Sequence, residues 1–274
     1  GQVAAFSGQR VQRFQIAKYE TTWSAWKSVR DWAKNNGYDI ENSGSGEGEN
    51  YPVRQVNWFD ALKWCNAKSI FHGLEPVYWL NKSLYCKKEK IEVDEKNLIA
   101  INHEANGYRL PTEYEWQWAA IGGKASKKFT FSGANDLDKV GWFKENSGGM
   151  THPVGLKLPN ELGLFDMSGN VAEWCIDGVG STHRRTRGGS SNFGGPINIT
   201  VSLRGGGHPT TRDTQTGFRY ARNSVTPDTT APTIALNGSN PMSVYKGTAF
   251  TDPGAVVNDD TDETTTILGS GTVN

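Results

Sequence analysis

Within the run Gly163-Leu164-Phe165-Asp166-Met167-Ser168-Gly169-Asn170-Val171-Ala172-Glu173-Trp174, Asp166 and Glu173 stand at either end of a glycine-containing turn, with the main-chain carbonyls of Gly169 and Val171 between them. Oxygen atoms at alternating positions of a tight, glycine-containing turn can converge on one point. A hard cation such as Ca²⁺ takes six to eight such oxygens, carboxylate and carbonyl mixed. The competing reading is a buried strand start whose acids cap nearby backbone N–H groups. No other metal chemistry stands out. His72, His103, His152, His183 and His208 are scattered without an i, i+4 helical pair, and Cys65, Cys86 and Cys175 form no CxxC or Cys/His zinc spacing. Three cysteines allow at most one intramolecular pair, and the simplest reading is small buried hydrophobes.

Other blocks flank the acidic turn. Upstream are Tyr19-Glu20-Thr21-Thr22, then Pro52-Val53-Arg54-Gln55-Val56-Asn57-Trp58-Phe59-Asp60-Ala61, then Arg109-Leu110-Pro111-Thr112-Glu113-Tyr114-Glu115-Trp116; downstream are Arg187-Gly188-Gly189-Ser190 and Gly217-Phe218-Arg219. In that order, over residues 10–222, they resemble the formylglycine-generating (sulfatase-modifying factor) family. The resemblance implies an α+β fold, an irregular and loop-rich variant of the C-type lectin fold. It also implies a structural calcium ion held by the side chains of Asp166 and Glu173 and the carbonyls of Gly169 and Val171. Relatives carry Asn where Asp166 stands, and Asp donates oxygen at least as well. A second family calcium site lies in an insertion that is shortened here, so it is not expected.

The family's oxidases work through two cysteines upstream of the Gly-Phe-Arg block, which bind Cu(I) as soft thiolates do. Aligned through Arg204 and Pro209, those positions fall on Pro196 and Val201. Neither side chain can ligate copper or undergo thiol chemistry, so no copper and no oxidase activity are expected. The family's second enzymatic branch uses a histidine-held iron on a separate helical domain, and the scattered histidines do not supply it.

Residues 188–214 contain no Lys, Glu, Gln, Met or Trp and are rich in Gly, Ser, Thr, Asn and Arg. Small, adaptable polar side chains on a fixed scaffold describe a recognition surface. In the resembled family this segment lies beside the site cleft, and it is the segment diversified in variable proteins of diversity-generating retroelements. Ser191, Asn192, Phe193, Arg204, His208, Thr210 and Arg212 are therefore the expected ligand-binding residues; the alternative is a surface loop of no special affinity. Arg109, Arg187 and Arg219 are read as structural, since a planar five-donor guanidinium suits loop carbonyls and buried carboxylates such as Glu113 and Glu115. Trp58, Trp116, Trp118, Trp142 and Trp174 are read mainly as core.

These groups need a frame. Thr22 caps a helix through about Asn36 that ends at Gly37, and Asn57 with Asp60 opens a second through about Phe71. Thr112 with Glu115 opens a third that stops at Gly122-Gly123. Phe14 to Tyr19, Val77–Leu80 and Ile99–Ile101 read as strands, the latter two flanking a charged excursion at Lys87–Lys96. Beyond Gly123 the pattern is turns and short strands to Ser224. Residues 225–232 form a Pro/Thr-rich linker. Residues 233–274, with strands expected at Ile234–Leu236, Met242–Tyr245 and Ala255–Val257, resemble the first half of an immunoglobulin-like bacterial surface repeat. That length falls short of a sandwich of ~100 residues.

Lys and Arg total 29, as do Asp and Glu, so nothing favours nucleic acid or an anionic membrane as partner. No apolar run approaches the ~20 residues of a membrane span. The chain opens on Gly1 rather than Met, which points to a mature or cut fragment. The expectation is a calcium-stabilised, non-catalytic, extracellular or cell-surface module that binds a glycan or protein; the alternatives are a divergent formylglycine-generating oxidase acting on a sulfatase cysteine, or a purely structural adhesin domain.

Overall fold

Three helices start where a side chain can satisfy their free N–H groups. The computed structural model describes residues 4–6, 9–40, 42, 44–86, 99–180, 182–224, 233–236, 255–258 and 265–267. Helix α1 (Trp23–Asn35) is capped by Thr22, whose hydroxyl accepts from the Ala25 N–H. Helices α2 (Trp58–Phe71) and α3 (Glu113–Ala120) open on reciprocal capping boxes, Asn57 with Asp60 and Thr112 with Glu115. These starts coincide with the ones expected from the sequence, because a cap is a local signal. Two one-turn helices follow, α4 (Leu137–Val140) and α5 (Lys144–Ser147).

The strands are short. They are β1 (Ala4–Phe6), β2 (Gln9–Val11), β3 (Phe14–Ile16), β4 (Tyr78–Leu80), β5 (Ser83–Leu84), β6 (Ile99–Ile101) and β7 (Tyr108–Arg109) before the helix α3, then β8 (Ala172–Val179), β9 (His183–Arg187), β10 (Gly205–Gly207), β11 (Thr216–Gly217) and β12 (Ala221–Asn223). The largest sheet runs β10-β9-β8-β11, with β11 parallel to β8 and the other neighbours antiparallel. A small sheet β3-β12-β7 joins the start of this unit to its end through Ala221 opposite Ile16. Strands β4 and β6 pair as expected, with β5 on the other side of β4. The excursion between them lies outside the described residues.

Packing explains why so little ladder suffices. Helix α2 is buried along nearly its whole length between α1 and the sheets. Trp26 of α1 and Trp64 of α2 stack in parallel at 6.2 Å, and Phe218 meets both edge-on at 6.0 and 5.3 Å. Five tryptophans are essentially inaccessible: Trp26, Trp58, Trp64, Trp116 and Trp174. Trp118 and Trp142, read from the sequence as core, are only half-buried. Smaller clusters form around Trp116, Met167, Cys175 and Val201, and around Phe131, Val140, Phe143 and Ile199.

The chain divides into two compact units, Gly1–Ser224 and Val225–Asn274. In the second, β13 (Thr233–Leu236), β14 (Ala255–Asn258) and β15 (Thr265–Ile267) form an antiparallel sheet in that order. Three short strands are too few to identify an immunoglobulin-like sandwich. The linker at 225–232 and the strand expected at Met242–Tyr245 lie outside the described residues.

Candidate functional site

The acidic turn folds around a buried guanidinium. Glu173 follows the start of β8, and its register opposite Arg187 on β9 and Gly217 on β11 holds it at the sheet centre. Arg219, two residues past Gly217, meets it in a fork: Nε donates to Oε2 and Nη2 to Oε1, both at 2.7 Å. Both side chains are fully buried. The remaining N–H groups of Arg219 donate to the carbonyls of Ala17, Lys18 and Phe165. The Trp116 indole N–H donates to the Glu173 carboxylate at 2.5 Å. Three donated bonds use three of the roughly four lone-pair sites of a carboxylate, leaving one on Oε1.

Two further carboxylates crowd the same pair. Glu20 is buried and accepts from the Asn170 amide at 2.7 Å and from the Val171 N–H at 3.0 Å. Asp166 sits in the left-handed region at φ 57°, and its Oδ2 accepts from the Gly155 N–H at 2.7 Å. Its buried Oδ1 has no hydrogen-bond partner. Burial pushes the Asp166 carboxyl up to about 6, against the pull of the Gly155 N–H and Arg219. Burial, then the charges of Asp166 and Glu173, hold Glu20 well above the usual carboxylate range. Burial alone would lower Arg219, but Glu173 beside it keeps it above its ordinary value. Three carboxylates thus face one guanidinium, which leaves this buried region short of positive charge.

Gly169 makes the turn possible. Its φ is +87°, and a Cβ there would lie 2.0 Å from the Trp142 carbonyl oxygen. Of the expected calcium donors, Asp166 carries a free buried oxygen, whereas Glu173 is largely committed to Arg219 and Trp116. Among the described residues, no three His, Cys, Asp or Glu side chains form a metal-holding group. Glu20, which stands in an early motif block of the sequence, is brought by the fold to this turn, and the Glu173–Arg219 fork joins two further blocks.

A cleft of about 360 Å³ opens on the sheet face outside this cluster. Trp174 of β8, Arg187 of β9, the glycines of β10, Leu203 and Phe193 form its walls, with Asp213 and Gln215 polar among them. Of the seven residues expected to bind ligand, Phe193 alone lines it, 41% exposed. Ser191 is 1% exposed, its backbone tied to Asn170 and Ser147, so it supports the wall rather than the surface. Arg204 reaches the other way, to Glu113 at 2.7 Å. Arg212 forks onto Asp60 at the start of α2. Asn192 and Thr210 are exposed, and His208 is half-buried beside Thr210. The expected set therefore spreads over the surface. Leu203 and Gly205–Gly207 line the cleft from within the 188–214 segment, and Trp174, read from the sequence as core, lines it as well.

The arginines act as staples. Arg109 forks onto Glu115 with two bonds of 2.7 Å. Arg187 donates to the carbonyls of Val201, Ser202 and Leu203 and lies 3.8 Å from Glu113. No cysteine is among the residues lining the cleft. Cys65 belongs to the α2 core and Cys175 to the Trp116 cluster, and burial pushes both thiols up. Pro196 begins a 3₁₀ turn (Pro196–Ile199), and Val201 packs into the Trp116 cluster.

Known proteins resemble this chain in sequence and in fold. The chain is 41% identical over 180 residues to "Chaperone protein LppX" of Paenibacillus barcinonensis, covering 59% of this chain and 61% of that protein. It is 30% identical over 158 residues to "Formylglycine-generating enzyme" of Streptomyces coelicolor, covering 52% and 50%. The chain thus spans about half to three fifths of the length of these curated relatives. Among solved structures, CarF superposes with a TM-score of 0.69 at 27% identity, covering 82% of this chain and 94% of that one. Treponema denticola variable protein 1 superposes at 0.64 with 31% identity, covering 77% and 84%. Residues 2–224 match the Sulfatase-modifying factor enzyme 1-like domain, and the chain belongs to that family.

Proposed function

We propose that residues 1–224 form a non-catalytic ligand-binding module, displayed outside the cell, whose ligand seats in the cleft between Trp174, Phe193, Leu203 and the β10 glycines. The cleft carries this reading: it is a preformed concavity with apolar walls and a few polar groups, and no cysteine is among its lining residues. Pro196 and Val201 stand where the resembled oxidases place their sulfur pair, and Val201 is turned into the core. The relative named a chaperone favours a protein ligand over a glycan. Residues 225–274 serve, on this reading, as the start of an immunoglobulin-like surface repeat.

Calcium is part of the proposal, as a structural ion. Asp166 Oδ1, the carbonyls of Gly169 and Val171, and the remaining lone pair of Glu173 would hold it. The unpartnered Asp166 oxygen and the excess of buried carboxylate over guanidinium fit such an ion. When bound it would supply positive charge and cross-link the turn, while Arg219 keeps Glu173 oriented.

The 30% identity to a formylglycine-generating enzyme favours a second reading, a divergent oxidase. Incubating the protein with Cu(I), O₂ and a Cys-x-Pro-x-Arg peptide, followed by mass spectrometry, separates the two. We expect no aldehyde product; turnover would overturn the binding-module reading. A glycan and protein ligand screen repeated with Phe193→Ala tests the cleft itself, and a ligand that the variant binds equally well does not use it.

A further inference from the structure

We propose that His183 and His208 form a two-histidine site for a divalent transition-metal ion at the end of the β9–β10 pair, independent of the acidic turn. Register brings them together. Gly205 lies opposite Thr186, Gly206 opposite Arg185 and Gly207 opposite Arg184, so the next step along the same antiparallel pair sets His208 against His183. Directly opposed residues on neighbouring antiparallel strands have Cβ atoms about 4.5–5.5 Å apart, close enough for two imidazoles to share one ion.

Ring geometry agrees. The two imidazole centres are 6.1 Å apart and the planes are perpendicular at 88°. An ion roughly 2.1 Å from each ring nitrogen lies roughly 3.2 Å from each ring centre, so two imidazoles sharing it can have centres at most roughly 6.4 Å apart. The observed spacing is inside that limit.

Each ring also has an orienting partner. Nδ1 of His183 lies 2.7 Å from the Thr182 hydroxyl, and Nδ1 of His208 lies 2.8 Å from the Thr210 hydroxyl. With Nδ1–H donating to the hydroxyl oxygen, the lone pair is on Nε2, which is the arrangement metal-bound histidines use. Neither Nε2 has a hydrogen-bond partner among the described residues. Neutral imidazoles select Zn²⁺, Ni²⁺ or Cu²⁺ over Mg²⁺ or Ca²⁺. No third His, Cys, Asp or Glu side chain joins them among the described residues, so the remaining coordination positions stay open to water or to an incoming donor.

The test titrates the full chain with NiCl₂ by calorimetry in a non-coordinating buffer, and with CuSO₄ by electron paramagnetic resonance. The expected result is one equivalent bound, with two imidazole nitrogens on copper. His183→Ala and His208→Asn should each weaken binding by at least about tenfold, and Thr210→Val, which removes an orienting hydroxyl, by roughly tenfold. The double variant should show no saturable binding. His103→Ala should leave binding unchanged. Circular dichroism melts of the variants establish that they fold. Absence of saturable binding, or saturable binding that survives both histidine substitutions, overturns the site.

Discussion

Removing the guanidinium of Arg219 is the sharpest perturbation this structure offers. Arg219→Met keeps most of the aliphatic length and deletes all five N–H donors. Two of them donate to Glu173 at 2.7 Å, and three to the carbonyls of Ala17, Lys18 and Phe165. Both partners of the ion pair are 0% exposed, so water cannot replace what is lost. Breaking a buried pair from one side costs about 3–5 kcal/mol, because the other charge is left unpaired in a poor solvent. The orphaned carbonyls and the neighbouring carboxylates of Glu20 and Asp166 place the loss toward the upper end. At roughly 2–4 °C per kcal/mol for a unit of this size, the melting temperature should fall by about 10–15 °C. Glu173→Gln alone should also destabilise, since it leaves the guanidinium without its charge. The double variant should recover about 2 kcal/mol relative to the sum of the singles, because contacting partners are not additive. Urea denaturation of the four proteins gives the cycle. A loss under about 1 kcal/mol in Arg219→Met, or strict additivity, would refute the claim that this pair organises the turn.

Two further outcomes follow from the same region. In the absence of divalent cations the stability contributed by Asp166 should be full at low pH and disappear as pH rises: the folded state raises this carboxyl from 3.8 to about 6, so it binds the proton more tightly than the unfolded chain does. The loss accumulates between about pH 4 and 6 and amounts to about 3 kcal/mol; Asp166→Asn should flatten that slope, and a wild-type slope of the opposite sign would contradict the assignment. Gly169→Ala should cost about 3 kcal/mol by denaturant titration, since the new Cβ meets the Trp142 carbonyl oxygen at 2.0 Å with φ at +87°; an unchanged midpoint would mean that the turn can relax.

What was legible in the sequence divides by distance along the chain. The three long helices were readable because each start is an exchange between residues three apart, such as Thr112 with Glu115. Ordered motif blocks identified the family, and through it the acidic turn. Contacts between distant segments were not readable. Nothing near Glu173 signals that its partner is Arg219, 46 residues on, or that Glu20 comes from 150 residues earlier to meet Asn170. Polarity also misled. Ser191 looks like a surface residue, yet it is buried because its backbone bridges Asn170 and Ser147. Arg212 looks free to meet a ligand, yet α2 draws it onto Asp60. The cleft was legible as a segment but not as a wall: Leu203 and the glycines at 205–207 lie within residues 188–214, yet only the sheet sets them across from Trp174.

The buried arginines and the cleft-wall side chains do different work. Short strands leave many loop carbonyls without ladder partners, and buried ones must still be satisfied. Here guanidiniums do it: Arg187 takes three carbonyls around Val201–Leu203, and Arg219 takes three more around Ala17 and Phe165. Each such donor set is planar and fixed, so it locks a loop path without a regular element. Phe193 and Leu203 stand in the cleft wall without a side-chain part in those networks, and Asn192 and Ile197 beside them are exposed. Substitution there alters the wall while the staples behind it stay in place. Arg187 belongs to both sets, since it lines the cleft and holds the Val201–Leu203 carbonyls, so Phe193 and Leu203 are the wall positions whose side chains can change without breaking a staple.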